Sequence, residues 1–151
     1  MLLLVFRVAG VDYAVEAGRV VEVIPRVELR SLPHGPDALA GLLRYRGQTV
    51  PVIDLGVLFG GAPCPERLST RIILVDERLP ARGQAHVGLL SEHVSDVRRV
   101  DDDQVMEQPA LLGPNPYLGP IVATDSGLIP LLDVARLLAE PIRAALAEAA
   151  P

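Results

Sequence analysis

Lysine and tryptophan are absent from this chain of 151 residues, and only five side chains are aromatic: Phe6, Tyr13, Tyr45, Phe59 and Tyr117. Every basic side chain is therefore arginine. With 14 basic against 19 acidic residues and a net charge of -5, the chain lacks the cationic excess that a phosphate backbone requires. Five scattered rings also make no base-stacking platform, so no nucleic acid partner is expected. The single cysteine, Cys64, cannot form an internal disulfide. It sits in a Gly-Gly-Ala-Pro-Cys-Pro loop with no neighbouring His or Cys, which reads as an incidental thiol more readily than as a nucleophile. His34, His86 and His93 show no ligand-pair spacing, so no metal and no cofactor are expected. The N-terminal apolar run is interrupted by Arg7 and Asp12 and follows no basic stretch. It reads as neither signal peptide nor membrane helix, which predicts a cytoplasmic protein without direct membrane insertion.

What the chain does contain is an apolar half, drawn mainly from Val, Leu, Ile and Ala. Those residues fall in short runs bounded by turn residues, the signature of strands. Strands are predicted at 2–8, 12–15, 26–29, 42–46, 48–54, 71–75, 86–90, 95–100, 119–124 and 127–132. Ala9-Gly10 and Arg46-Gly47-Gln48 suit hairpin turns. Helices are predicted at 36–40, 55–59, 134–139 and 142–149, and loops at 61–69, 78–84 and 108–118. Pro51 and Pro130 fall inside strands, where a missing N–H points to an edge, a bulge or a strand start.

Two blocks repeat. VPVIDLGVLF at 50–59 returns as IPLLDVARLL at 129–138, and YAVEAGRVVEV at 13–23 aligns with VGLLSEHVSDV at 87–97. The offsets are seventy-nine and seventy-four, in the same order, which indicates an internal duplication. Each half is marginal as an independent fold, so the halves are expected to pack on each other.

Asp54 and Asp133 hold equivalent places, after an apolar strand and before a short apolar helix, where a carboxylate caps orphan N–H groups. The rival reading is an acid/base dyad across a pseudo-twofold axis, as in aspartic proteases. It needs an exposed Asp on a Gly-containing turn in each half. Asp125-Ser126-Gly127 is one such turn, but its counterpart is Arg46-Gly47-Gln48, so a dyad could arise only in a homodimer. Asp101-Asp102-Asp103 lacks the further carboxylates of a calcium loop and reads as a solvated turn.

The stretch from Gly41 to Leu55, Gly-Leu-Leu-Arg-Tyr-Arg-Gly-Gln-Thr-Val-Pro-Val-Ile-Asp-Leu, resembles the G-x-x-N-L-R-G-x-x-V-P-V-I-D-L block of CheW-type coupling proteins. Val20-Val21-Glu22-Val23, Leu32-Pro33, Val87-Gly88-Leu89-Leu90, Val94-Ser95-Asp96-Val97 and Leu131-Leu132-Asp133-Val134 follow that family's order, so the resemblance spans essentially the whole chain. It implies an all-β fold: two small SH3-like five-stranded β-barrel subdomains related by a pseudo-twofold, with short helices. Residues 1–151 then form a single CheW-like domain whose barrels are interleaved or sequential.

The same resemblance implies a non-enzymatic adaptor in chemotaxis-like, two-component signal transduction. Its partners would be a chemoreceptor cytoplasmic tip and the regulatory domain of a CheA-type histidine kinase, at membrane-associated receptor arrays. Family receptor contacts fall in the groove between barrels and on an exposed barrel face, and kinase contacts use barrel ends. By position, Arg46 matches the family's exposed turn arginine, Gly41 the glycine that opens the strand, and Val20 and Glu22 the segment bordering the partner surface. Arg44 and Tyr45 replace the usual Asn-Leu, adding a cation and a ring near that face. Tyr45 suits a partner anchor and an ordinary strand aromatic equally. Tyr45-Arg46-Gly47 and Tyr117-Leu118-Gly119-Pro120 resemble the Wsp surface-sensing branch. The rival functions are a homodimeric aspartic hydrolase using Asp125 and a small-ligand-binding β-barrel.

Overall fold

The computed structural model describes residues 1–79, 83–107 and 117–137. Its strands are β1 Leu2–Val8, β2 Val11–Glu16, β3 Val20–Pro25, β4 Leu39–Tyr45, β5 Gln48–Asp54, β6 Arg71–Leu79, β7 Gly83–Ser91, β8 His93–Arg99, β9 Val105–Met106, β10 Leu118–Thr124 and β11 Gly127–Leu132. Short helical turns cover Ala17–Arg19, Gly56–Gly60 and Asp102–Gln104, and α1 is Val134–Leu137.

The strands form two sheets, ordered β8-β1-β2-β11-β10-β9 and β3-β6-β7-β5-β4. Under the duplication, β1, β2, β3, β4 and β5 correspond to β6, β7, β8, β10 and β11, and this exchange turns the second order into the first. Each sheet therefore takes strands from both halves of the chain. The pairing registers obey the sequence offsets. Parallel pairing of Val52 with Gly88 has its counterpart in Leu131 with Ala14. The bulge between Val20 and Glu22 on β3 matches one between Val5 and Phe6, opposite Val94 and Asp96.

Exchange explains why the strands read as continuous apolar runs. Leu3 and Val5 point into the first sheet's own core, while Leu4 and Phe6 point into a core shared with residues of the second sheet. Their counterparts do likewise, Ile72 and Leu74 inward and Ile73 and Val75 to the shared core. A strand buried on both faces cannot alternate with polar residues. Four of the five aromatics chain together in the shared core, with Phe6–Tyr13, Tyr13–Phe59 and Phe59–Tyr117 centroids 6.1, 4.8 and 6.4 Å apart.

Several expectations need correction. Residues 26–29 form no strand: only Arg30 pairs, through two backbone hydrogen bonds with Leu42 of 2.9 and 2.8 Å. That single bridge joins the chain leaving β3 to β4, closing the second sheet. In the first sheet β9 makes the equivalent closure on Ile121 and Val122, and nothing so short was predicted. Residues 36–40 are a turn running into β4, because Leu39 N–H bonds Pro36 O instead of continuing a helix. The loop at 78–84 is mostly strand, since the β6–β7 ladder extends to Leu79 and Gly83. Segment 142–149 and most of 108–118 lie outside the described residues.

Pro51 is not on a sheet edge, yet its missing N–H is harmless. It faces Leu42, whose N–H and C=O both point away toward Arg30, and β5 pairs with β7 only from Val52 onward. Pro130 likewise precedes Leu131, where β11 meets β2. Both hairpin turns carry left-handed backbone, Ala9 and Gly10 at φ 52° and 78°, Arg46 and Gly47 at 48° and 80°.

Candidate protein-docking surface

Arg46 stands at the tip of the β4–β5 turn with its side chain 75% exposed. Its left-handed φ is costly for a residue with a Cβ, so the two-residue turn itself imposes the position. The guanidinium lies 5.2 Å from the centroid of the Tyr45 ring and 3.6 Å from Glu22 Oε1. Glu22 lies on β3, the opposite edge of the sheet from β4, so this contact spans the closure of the barrel. An exposed ion pair of this kind contributes little to stability. What it leaves at the surface is a cation supported by a ring, a common type of interface anchor.

Tyr45 is half-buried against the second sheet's core and meets the His86 ring edge-on at 6.1 Å. His86 Nε2 lies 3.1 Å from Asp76 Oδ1, its cross-strand partner on β6, and Arg19 donates to the Asp76 carbonyl at 2.9 and 3.3 Å. The Tyr45 hydroxyl is buried without a hydrogen-bond partner among the described residues. Asp76 and His86 thus support the Tyr45–Arg46 face, and the sequence carried no signal for them because only strand pairing brings them there.

The structure brings Glu22, Tyr45 and Arg46 together. Arg44 is exposed on the same strand, and Val20 is half-buried against the shared core. Gly41 differs from its expected place on the partner face: it is buried, at φ 154°, and a Cβ there would come within 2.7 Å of the Arg30 carbonyl oxygen. Its lack of a side chain lets the barrel-closing segment approach, which is a backbone role.

The paired carboxylates are both caps. Asp54, 5% exposed, accepts the Gly56 N–H at 2.9 Å and the Cys64 N–H at 3.1 Å. Asp133 accepts the Arg136 N–H at 3.1 Å and lies 3.4 Å from that guanidinium. Cys64 is buried beneath the loop it belongs to, and its thiol faces the Leu90 carbonyl at 3.5 Å. Burial, with the Asp54 charge second, pushes this thiol up to about 12. Asp101 to Asp103 open a short helical turn in which Gln104 Oε1 accepts the Asp101 N–H at 2.8 Å. Asp125 is exposed on its turn, beside Ser126, which accepts from Arg98 at 3.2 Å. Among the described residues, no helix is long and apolar enough to cross a membrane.

Two strand-exchanged barrels, closed by short bridges and displaying an arginine on a tight turn, define a β-rich docking scaffold. The chain belongs to the CheW-like domain family, which matches residues 2–141. It is 27% identical to a probable chemotaxis protein CheW of Rhizobium etli, over 91% of this chain and 87% of that protein. A chemotaxis protein CheW of Klebsiella aerogenes is also 27% identical, over 89% and 80%. Among solved structures, the scaffolding protein TtCheW of Thermoanaerobacter tengcongensis superimposes with a TM-score of 0.77 at 27% identity, covering 88% of this chain and 84% of that one.

Proposed function

We propose that this chain joins the cytoplasmic tip of a chemoreceptor to the regulatory domain of a CheA-type histidine kinase, in the cytoplasm at membrane-associated receptor arrays. It is a non-enzymatic adaptor, as the CheW-like family consists of scaffolds and not enzymes, and the hydrolase and ligand-barrel readings are dropped on that ground. The carrying observation is the family match from residue 2 to 141, which includes both barrels. The whole chain acts as one domain, because neither sheet can form from one half alone.

Arg46, Glu22 and Tyr45 form the centre of the receptor-facing surface, with Arg44 and Val20 beside them. Breaking the Arg46–Glu22 pair would free the guanidinium for a partner carboxylate at small cost. Pull-down of a receptor cytoplasmic fragment and a kinase regulatory fragment by the purified chain tests the reading. A ternary complex that weakens roughly tenfold or more with Arg46→Glu is expected. Failure of the folded wild-type chain to retain either fragment would overturn it. Output through a diguanylate cyclase, the Wsp-type reading, rests on Tyr45-Arg46-Gly47 and is tested by cyclase activity in a strain lacking this chain.

A further inference from the structure

Charge is divided unevenly between the two barrels. Residues 17–91, which supply every strand of the second sheet, hold nine arginines against seven carboxylates, while the rest of the chain holds five against twelve. The turn tips follow the same division. Arg44 and Arg46 mark the β4–β5 hairpin, and Ala123 and Asp125 take their places on the β10–β11 hairpin. Asp125 is exposed, and its carboxylate has no ion-pair or hydrogen-bond partner among the described residues. Arg98, which reaches the adjoining Ser126, is held by Asp96. Apolar surface is divided the other way. Val11 and Leu128 lie on neighbouring strands, three residues before the paired Ala14 and Leu131, and alternation turns both to the outer face with Tyr13 and Leu132. They are 46% and 58% exposed, whereas the equivalent places in the second barrel hold Ala85 and Thr49. The β10–β11 hairpin joins the rest of the chain at its other end, where Leu118 pairs with Leu132.

We infer that the chain associates head to tail with a second copy of itself, the β4–β5 tip of one copy meeting the β10–β11 tip of the next. The unpaired Asp125 calls for a cation beside an apolar or aromatic side chain, and the Tyr45–Arg46 tip displays that combination. Arg46 leaves Glu22, an exposed partner at 3.6 Å, for the other copy's Asp125. Its departure bares the Tyr45 ring, whose centroid lies 5.2 Å from the guanidinium, to the other copy's Leu128 and Val11. The basic barrel of each copy then faces the acidic barrel of its neighbour, which favours this orientation over its reverse. Such a contact joins two different surfaces, so it repeats into a ring or a filament instead of closing as a pair. Because Arg46 is also the centre of the receptor-facing surface, receptor binding and self-association exclude each other. The association itself needs only the purified chain, so it stands or falls without the adaptor reading.

Sedimentation velocity of the full chain over a concentration series is the test. The mean mass is expected to climb past that of a dimer, and salt at about 1 M should reverse much of the growth. Arg46→Asp and Asp125→Arg should each weaken association roughly tenfold or more. The variant carrying both should regain it, since the exchanged charges still meet. Leu128→Thr, which copies the other barrel, should weaken it with no change of charge. All four positions are exposed or lie on turns, and an unchanged urea midpoint confirms that each variant folds. A wild-type chain that stays monomeric at every concentration, a dimer that grows no further, or a double variant no better than its singles overturns the inference. Retention of receptor and kinase fragments by a strictly monomeric chain would overturn it while leaving the adaptor reading intact.

Discussion

Asp54 and Asp133 occupy equivalent points in the two barrels, seventy-nine residues apart by duplication, and among the described residues their carboxylates are held differently. Around Asp54 a loop folds back, buries Cys64 and uses both carboxylate oxygens. Around Asp133 one oxygen caps α1 and the other meets Arg136. The turn tips have diverged in charge as well. Glu22 and Arg46 attract across the second barrel, whereas their counterparts Asp96 and Asp125 would repel. Arg98 resolves this in the first barrel, reaching Asp96 Oδ2 and Ser126 Oγ, each at 3.2 Å. A duplicated backbone thus preserves hydrogen-bond geometry, which pairing enforces, while side chains at barrel ends and turn tips are free to specialise.

The largest test of that contrast is at Gly41 and at Gly119, the glycine beside Pro120, which is the counterpart of Gly41. Gly41→Ala should destabilise by about 3 kcal/mol or more, since it combines a positive φ with a Cβ against the Arg30 backbone. Gly119→Ala, whose Cβ would lie 3.7 Å from the nearest atom, should change stability by less than about 1 kcal/mol. Urea denaturation midpoints measure both, and equal losses would remove the closure argument.

Next come the carboxylates. Asp54→Ala leaves two buried N–H groups without a partner and should cost about 2–4 kcal/mol. Asp133→Ala loses a partly exposed cap and should cost about 1 kcal/mol. A reversed order in the same denaturation assay would mean that the Cys64 loop is not anchored by Asp54.

Alkaline titration probes the Cys64 loop alone. The Cys64 thiol is held neutral in the folded chain, with its ordinary value of 9.0 raised to about 12. A raised folded-state value favours folding fully below 9.0 and loses that contribution as pH climbs toward 12. Cys64→Ala should therefore flatten the decline of the denaturation midpoint with pH over that window, and an unchanged slope would contradict it. The smallest expected effects are at the turn tips. Arg46→Glu and Asp125→Arg should each shift stability by less than about 1 kcal/mol, so any large loss of partner binding by Arg46→Glu would be an interface effect.

The duplication was legible in the sequence because strand pairing constrains residue type at matching positions, and two apolar blocks at near-equal offsets were enough to expose it. Strand β11 was predicted to the residue, and so was the Ala9-Gly10 turn; the second turn was placed at Arg46-Gly47-Gln48, of which Gln48 already belongs to β5. The capping roles of Asp54 and Asp133 were likewise readable from position alone. Which strands join which sheet was not readable, because both faces of β1 and β6 are apolar and carry no mark of the neighbour they will meet. For the same reason residues 26–29, with a strand-like composition, could not be told from a crossing segment that pairs once. Gly41 looked like a surface position until the Arg30 backbone was seen against it, and Asp76 and His86 reach Tyr45 only through pairings distant in sequence. Local chemistry settles turns, caps and periodicity within a few residues, but exchange of strands, closure of barrels and the seating of Cys64 between Asp54 and Leu90 depend on contacts distant in sequence, which only the folded chain brings together.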